Sequence, residues 1–190
     1  TPSACRCRRS WCRRPVTAAA DSLAPEAVAP RLTGRFGDPY LYEPGCESTQ
    51  LLLLGSGLDE GAVAVAEFQS GGRGRAGRAW VAPPGTNVAV SALLRPVRST
   101  FDWGWLSLLV GLAVADGIRS LGGGDRVTLK WPNDVLIDGK KVCGILSEMV
   151  HTELGPAAIC GWGINVSMDA DELPVSHATS LALAGLPTDK

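Results

Sequence analysis

The sequence predicts an α+β fold with a mixed or antiparallel central sheet flanked by helices. Two observations support this class: several short segments have strand composition, and residues 103–121 repeat apolar residues at helical spacing. The chain has 190 residues, of which 45% are hydrophobic. That length suffices for one domain with a real core and is too short for two large domains.

Six segments are predicted as strands. Residues 61–68 are rich in valine and alanine, and residues 86–94 alternate around Val88 and Val90. The pair Asp138-Gly139 predicts a tight hairpin turn, because both residue types accept positive φ. The other strand candidates are residues 127–130, 135–137, 142–149 and 157–166.

Two segments are predicted as helices. The short helix, residues 50–54, is expected to be capped by Ser48 or Thr49 and to end at the glycines that follow it. The long helix is expected to bury one apolar face, formed by Leu106, Leu109, Val110, Ala113 and Ile118.

The first 35 residues differ in composition from the rest. They contain five arginines by position 14, no acidic residue before Asp21, and then an alanine- and proline-rich stretch. Such a segment buries too little apolar surface to offset the entropy of ordering it. We therefore predict a disordered tail over residues 1–35 and a folded domain over residues 36–190. A transit peptide is the less favoured interpretation of the tail.

Charge and cysteine usage narrow the function classes. The net charge of -1 does not indicate a nucleic-acid-coating protein. The longest apolar run, residues 106–115, is shorter than a membrane span, so no membrane association is predicted. The sequence contains no Cys-X-X-Cys pair, so it does not indicate a zinc site. Cys46, Cys143 and Cys160 lie in apolar surroundings and are expected to be free thiols in a reducing compartment, the cytoplasm.

The Gly-Arg loop, residues 71–80, alternates glycines with Arg73, Arg75 and Arg78 and ends at Trp80. Glycines let backbone N–H groups approach a ligand, and guanidinium groups match the geometry of phosphate and carboxylate oxygens. The loop therefore predicts an anion site beside an indole that can cover a flat ring. A flexible segment that coats nucleic acid is the alternative.

Three further stretches place polar groups or glycines beside apolar strands. Residues 130–134, Lys-Trp-Pro-Asn-Asp, suit a carboxylate, phosphate or metal site, and equally a surface turn with a salt bridge. Gly144 inside an apolar strand indicates either a close ligand contact or a bulge. Asn165, after the Gly-Trp-Gly of residues 161–163, is either a structural amide or a ligand contact.

In this order and spacing, these stretches resemble the biotin–protein ligases, the enzymes that attach biotin to the carboxyl-carrier domains of carboxylases. The resemblance covers roughly residues 40–181 and implies a fold like that of class II aminoacyl-tRNA synthetases and biotin–lipoate ligases. The matching segments are residues 47–49, 67–69, 72–80, 85–87, 130–135, 141–148 and 161–166.

The resemblance implies a two-step reaction. The carboxylate of biotin attacks the α-phosphate of ATP, with Mg²⁺ assisting, and yields biotinyl-5′-adenylate and pyrophosphate. The adenylate then acylates one lysine of a biotin carboxyl carrier protein. ATP and Mg²⁺ are therefore the expected cofactors, biotin the substrate and the carrier the partner. Nucleic acid is not an expected partner, and a homodimer is left open.

The resemblance also implies roles for individual residues. Lys130, Arg73 and Arg75 are the expected catalytic residues, which neutralise developing charge and shield the mixed anhydride from water. The expected biotin-binding residues are Ser48, Thr49, Gln50, Gln69, Gly72, Arg73, Gly74, Arg75, Lys130 and Gly144. The expected ATP- and adenylate-binding residues are Arg73, Arg75, Arg78, Trp80, Asn87, Lys130, Asn133, Asp134 and Asn165. No residue is assigned as a metal ligand, because Mg²⁺ is expected to bind with the nucleotide.

The sequence departs from the family pattern in three places. Gln50 stands where the family usually has asparagine, and the longer amide is expected to weaken or reposition one biotin contact. Many members continue with a helix and a small SH3-like barrel, whereas this sequence ends at Lys190. A truncated biotin-binding chain with weak activity therefore stays open. No helix-turn-helix pattern precedes Tyr40, so a repressor role is not expected.

Two rival functions remain. A lipoate– or octanoate–protein ligase shares the superfamily fold, but its phosphate loop normally carries a glycine run and a histidine. The two histidines of this sequence, His151 and His177, lie more than 70 positions after the Gly-Arg loop along the chain. A nucleic-acid-binding module would need basic residues along one face, whereas the 19 acidic residues slightly outnumber the 18 basic ones.

Overall fold

A seven-stranded mixed sheet forms the centre of the computed structural model, which describes residues 22–189. Its spatial order is β1-β2-β3-β7-β6-β5-β4. β1 and β2 run parallel, and each other neighbouring pair is antiparallel. The predicted α+β class with a mixed sheet is confirmed. The strands are β1 Tyr40–Glu43, β2 Val63–Ala66, β3 Asn87–Leu94, β4 Val127–Lys130, β5 Asp134–Ile137, β6 Lys140–Thr152 and β7 Gly155–Asn165.

The six predicted strands all form, and β1 was missed. Its four residues are only partly buried and lie at the sheet edge, so they lack the apolar alternation that identifies a strand. The hairpin turn between β5 and β6 is confirmed: Asp138 has φ 49° and Gly139 has φ 75°. Both values are positive, as this two-residue turn requires.

Three α-helices accompany the sheet within residues 22–189: α1 Pro25–Val28, α2 Thr49–Leu53 and α3 Leu106–Ile118. α3 follows a 3₁₀ turn, Thr100–Trp105, and continues into a π-helical turn, Arg119–Gly123. The short and long predicted helices are both confirmed.

The buried face of α3 is only partly the predicted one. Leu106 and Ile118 are buried, but Leu109 is 57% exposed and Ala113 is also exposed. Gly111 and Ala115 lie on the buried side instead. Apolar residues occur on every side of this helix, so helical spacing is compatible with more than one buried face.

The helical stretch Thr100–Arg126 is long and apolar enough to cross a membrane, with a hydropathy of 1.4. Length and composition alone are weak evidence, because core helices of soluble proteins share them. α3 packs on the sheet through Ala115 and Ile118, which belong to a core cluster with residues of β4, β5 and β6. The absence of membrane association stays a prediction.

Residues 22–35 are not a disordered tail. Leu23 is 6% exposed, its N–H donates to Glu67 Oε1 at 2.8 Å, and its carbonyl accepts from the Tyr40 hydroxyl at 2.8 Å. α1 follows directly, with proline at its first turn. The predicted boundary at residue 35 is therefore wrong, because tertiary contacts order a segment whose composition indicates disorder. The arginine-rich residues 1–21 lie outside the described part.

The main core lies between α3 and the β4–β5–β6 side of the sheet. Ile137 is 1% exposed and packs there with Val135 and Val142. Closely packed interiors relax only partly around a deleted side chain, so each of these residues contributes to the stability of the platform beneath the site.

We expect Ile137→Ala to lower the free energy of unfolding by about 2–5 kcal/mol, since it removes buried methyl groups and leaves a cavity. Urea denaturation monitored by circular dichroism measures the change. Leu154→Ala is the control, because Leu154 is 60% exposed and its loss should change the value by less than about 0.5 kcal/mol. Equal losses in the two variants would contradict this assignment of the core.

Candidate active site

A cavity of about 410 Å³ lies over the middle of the sheet, where β3, β7 and β6 are neighbours. The start of α2 closes one end and the Gly-Arg loop covers the top. The predicted site residues that line it are Ser48, Thr49, Gln50, Gln69, Arg73, Gly74, Arg75, Arg78, Trp80, Asn133, Gly144 and Asn165. Residues from five separate segments of the sequence thus meet in one cavity.

A buried polar cluster forms the end of the cavity at α2. Gln69 Oε1 accepts a hydrogen bond from the Thr49 backbone N–H at 2.8 Å, and Thr49 Oγ1 lies 2.8 Å from Ser91 Oγ. The predicted cap by the Ser48 or Thr49 side chain is therefore wrong, since α2 begins without a side-chain cap bond. The Gln69 amide satisfies that helix terminus, which joins the helix to the loop after β2.

Gln50 lines the cavity and anchors α2 to the sheet. Its Nε2 donates to the Leu146 carbonyl of β6 at 3.0 Å. The side chain lies against Gly161 of β7, where an added Cβ would approach Gln50 Cγ to 3.1 Å. Because that position has no side chain, the longer amide fits beside β7.

The Trp80 indole lies on a pair of glycines in adjacent strands. Gly144 of β6 and Gly163 of β7 are direct partners across the sheet. An added Cβ at Gly163 would lie 2.6 Å from Trp80 Nε1, and one at Gly144 would lie 3.0 Å from Trp80 Cζ3. Trp80 Nε1 is buried and has no hydrogen-bond partner among the described residues. The N–H edge of the indole thus lies against the sheet at Gly163, away from the open part of the cavity.

The Gly-Arg loop forms a small hairpin. Gly74 N–H donates to the Arg78 carbonyl at 2.6 Å, and Trp80 N–H donates to the Gly72 carbonyl at 2.9 Å. The turn of the hairpin contains Ala76 at φ 60° and Gly77 at φ 72°. These backbone bonds hold the arginines over the cavity.

The three arginines of the loop differ in their partners. The Arg73 guanidinium forms an ion pair with Glu148 Oε2 at 2.8 Å and contacts Gln50 Oε1 at 3.5 Å. Arg75 and Arg78 are exposed and form no ion pair with another residue of 22–189. Two cations at the cavity mouth are therefore free to bind an anion.

Lys141, rather than Lys130, is the lysine of the cavity. Lys130 ends the edge strand β4, is exposed and does not line the cavity. Lys141 is on β6, with its Nζ 5.9 Å from the Trp80 ring centroid and 2.6 Å from Asp134 Oδ1. The contact with Asp134 is an ion pair without hydrogen-bond alignment. Lys130 thus lies outside the cavity, because β4 is the edge strand of the sheet, and its predicted role stays a prediction.

The amide side chains fall into two groups. Asn133 Nδ2 donates to the Ile145 carbonyl at 2.8 Å and Asn165 Nδ2 to the Thr179 carbonyl at 2.9 Å, so both carboxamides are fixed in the cavity wall. Asn87 is 2% exposed, pairs with Asn165 across the sheet and does not line the cavity.

Two more predicted residues lie behind the wall. Gly72 does not line the cavity, but a Cβ there would approach the Trp80 carbonyl to 2.5 Å. Asp134 reaches the site only through its ion pair with Lys141. Both act on the shape or charge of the site and not as part of its surface.

The three cysteines within residues 22–189 are buried or half-buried thiols. Burial raises the pKa of Cys143 to about 12 and that of Cys46 to about 11, so both are protonated at neutral pH. Cys46, Cys143 and Cys160 are free thiols, as predicted. Within residues 22–189, no three His, Cys, Asp or Glu side chains are placed to hold a metal ion.

Sequence reasoning missed several cavity residues, namely Lys141, Ser91, Gly161, Trp162, Gly163 and His177. Two of them had a signal in the sequence. Lys141 opens the strand that contains Gly144, and Ser91 is a polar residue inside the apolar strand β3. Ser91 lies 50 positions before Lys141 and 70 positions before Gly161 in the sequence. The order of the strands in the sheet brings these residues together.

The biotin/lipoate A/B protein ligase family model matches residues 46–165. The chain belongs to this family. The chain is 37% identical over 155 residues to the bifunctional ligase/repressor BirA of Bacillus spizizenii, covering 78% of this chain and 47% of that protein. It is 42% identical over 135 residues to the biotin–[acetyl-CoA-carboxylase] ligase of Mycobacterium tuberculosis, covering 69% and 49%. The chain thus spans about half the length of these relatives.

A solved structure of the family has the same fold. The biotin protein ligase of Aquifex aeolicus, in complex with biotin and ATP, is 33% identical with a TM-score of 0.65, covering 79% of this chain and 61% of that one. The resemblance to the biotin–protein ligases and the expected ligase fold are confirmed.

We expect Gly163→Ala to displace Trp80, since the new methyl group occupies the position of the indole, and to lower by about tenfold or more any affinity for biotin, the ligand of the Aquifex aeolicus structure. Isothermal titration calorimetry measures the affinity. Gly117→Ala in α3 is the matched control, because a Cβ there meets nothing within 4 Å. Unchanged affinity in Gly163→Ala would show that the contact between Trp80 and Gly163 does not shape the ligand site.

Proposed function

We propose that this chain activates biotin with ATP and transfers it to a lysine of a carboxyl carrier protein. The observation that carries this proposal is the position of Lys141. This lysine lines the same cavity as the polar cluster at α2 and the loop arginines, with its ammonium 5.9 Å from the Trp80 ring centroid. A cavity that combines a polar cluster, a lysine and two arginines without an ion pair suits a carboxylate-bearing ligand joined to a phosphate.

The polar end suits the ureido ring of biotin. Ser48 and Thr49 are each 3% exposed, and the Gln69 amide lies beside them, so donors and acceptors are available in a desolvated pocket. Val90 and Ile145 line the cavity as well and provide apolar walls for the rest of the ligand. In this arrangement the ligand carboxylate points towards Lys141.

In the first step, a carboxylate oxygen of biotin bonds to the α-phosphorus of ATP, and the bond to the bridging oxygen of pyrophosphate breaks. Lys141 bridges the carboxylate and the α-phosphate, whose mutual repulsion opposes the reaction. Arg75 and Arg78 hold phosphate oxygens at the mouth. A fixed cation in a water-poor cavity stabilises the developing charge with little reorganisation. Asn133 and Asn165 orient the nucleotide, whose bound Mg²⁺ would supply further neutralisation of phosphate charge.

In the second step, the neutral amine of the carrier lysine attacks the acyl carbon, and AMP leaves with its phosphate oxygen. The hairpin of the Gly-Arg loop covers the mixed anhydride until the lysine arrives, which limits hydrolysis. Trp80 packs along the adenylate. The location in the cytoplasm and a homodimer stay predictions.

The proposal is tested by incubating the chain with ATP, Mg²⁺, biotin and a carboxyl carrier domain. We expect the carrier mass to increase by one biotinyl group, measured by intact-mass spectrometry, and no increase when lipoate replaces biotin. Lipoyl transfer would identify a lipoate ligase. Biotin-dependent release of pyrophosphate without transfer would identify a chain that retains only the first step. Slower migration of a fluorescent single-stranded DNA in a gel mobility-shift assay would identify a nucleic-acid-binding module.

The two lysines provide a sharper test. We expect Lys141→Ala to slow pyrophosphate release by about 10²-fold or more, because it removes the cation at the reacting oxygens. Lys130→Ala should stay within about twofold of the parent chain, since its ammonium is outside the cavity. A steady-state assay of biotin-dependent pyrophosphate release compares the two. A larger loss in Lys130→Ala would reverse the assignment.

A further inference from the structure

A second cavity, of about 420 Å³, lies beside the first. Arg75, Asn133, Ile145 and Leu146 line both cavities, so the two share one wall. Its remaining lining comes from the 3₁₀ turn Thr100–Trp105, the start of α3, the turn between β4 and β5, and Ser147 of β6. We call it the tryptophan cavity, after Trp103, Trp105 and Trp131.

The three indoles have different surroundings. Trp103 is 9% exposed and its Nε1 donates to the Arg98 carbonyl at 3.0 Å, so it is a rigid part of the wall. Trp105 is 64% exposed and Trp131 is 74% exposed. Large indoles that are open to solvent around a concave surface are typical of residues that anchor a protein partner.

This cavity has no charged side chain apart from the Arg75 that it shares with the first cavity. Apart from Arg75 and Asn133, which also line the first cavity, the polar lining side chains besides the indoles are Ser107 and Ser147. Their hydroxyls are already 3.1 Å apart in a hydrogen bond. The cavity thus has no unshared cation for a phosphate group and favours an apolar occupant.

We propose that the tryptophan cavity receives an apolar side chain of the lysine-bearing partner protein, from a residue next to the acceptor lysine. This inference rests on the proposed function. The acceptor lysine must pass Arg75 at the cavity mouth to reach the acyl group near Lys141, and one residue of extended chain spans about 3.3–3.6 Å. Residues within two positions of that lysine therefore lie over the shared wall, where Trp105 and Trp131 can enclose an apolar side chain.

The test separates the two half-reactions. Trp105→Ala and Trp131→Ala should release pyrophosphate from ATP and biotin within about twofold of the parent rate, because the first cavity is intact. Their kcat/KM for carrier biotinylation should fall by about tenfold or more, through a higher KM for the carrier. Phe101→Ala is the matched control, since Phe101 is 97% exposed, lies in the same 3₁₀ turn and does not line the cavity.

A carrier whose apolar residues flanking the lysine are changed to alanine completes a double-mutant cycle. With the parent chain, the altered carrier should have a kcat/KM about tenfold lower than the unaltered carrier. With Trp105→Ala, the difference between the two carriers should be about twofold or less, because that variant has already lost the contact. Trp105→Phe should recover most of the loss, which a mere folding defect would not allow.

Four outcomes would overturn the inference. Parental transfer by both tryptophan variants would show that the carrier does not use this cavity. Loss of pyrophosphate release in those variants would assign the cavity to the nucleotide. Additive losses in the cycle would place the flanking residues elsewhere. A parent chain that releases no pyrophosphate would remove the proposed function and this inference with it.

Discussion

The contact between the Trp80 indole and the glycine pair Gly144–Gly163 determines the shape of the site. The two glycines face each other across β6 and β7, and the indole occupies the space that two side chains would otherwise fill. The end of the Gly-Arg loop is thereby attached to the middle of the sheet. Since the loop hairpin closes on Trp80 through the Gly72 carbonyl, the position of every arginine in the loop follows from this contact.

The same principle holds at the other end of the cavity. Gly161 leaves room for Gln50, whose amide then bonds to the Leu146 carbonyl and contacts Arg73. Glu148 forms an ion pair with the same guanidinium nitrogen of Arg73. α2, the loop and β6 are therefore linked by side chains that also line the cavity. The glycines of β7 have no Cβ, and polar groups from other segments lie over them. Together they form a concave surface on an otherwise flat sheet.

The charge arrangement suits a reaction between two anions. Arg73 is neutralised by Glu148, and Lys141 is held by Asp134, whereas Arg75 and Arg78 have no acidic partner among residues 22–189. The paired cations keep a fixed geometry, and the unpaired ones attract the ligand. The tryptophan cavity adjoins the unpaired Arg75, so a concave surface with two exposed indoles lies beside the first cavity.

Local sequence patterns sufficed for the six strands, the hairpin at Asp138-Gly139 and the motifs that identify the family, because backbone preferences, alternation and glycine placement act over a few residues. The same patterns predicted α3 but not all of its buried face, because an apolar surface on all sides of the helix allows several buried faces. They also failed for Leu23, which is ordered by contacts with Glu67 and Tyr40.

The sequence by itself determined which residues are available for an anion site: the arginines of the loop, the polar group at α2 and the lysines around the hairpin. Only the tertiary structure placed Lys141 in the cavity and Lys130 outside it, because strand order puts β6 beneath the cavity and β4 at the edge. It also decided that Gln69 completes α2 and that three tryptophans form a second cavity. These outcomes depend on distances between segments far apart in the chain, which no local pattern encodes.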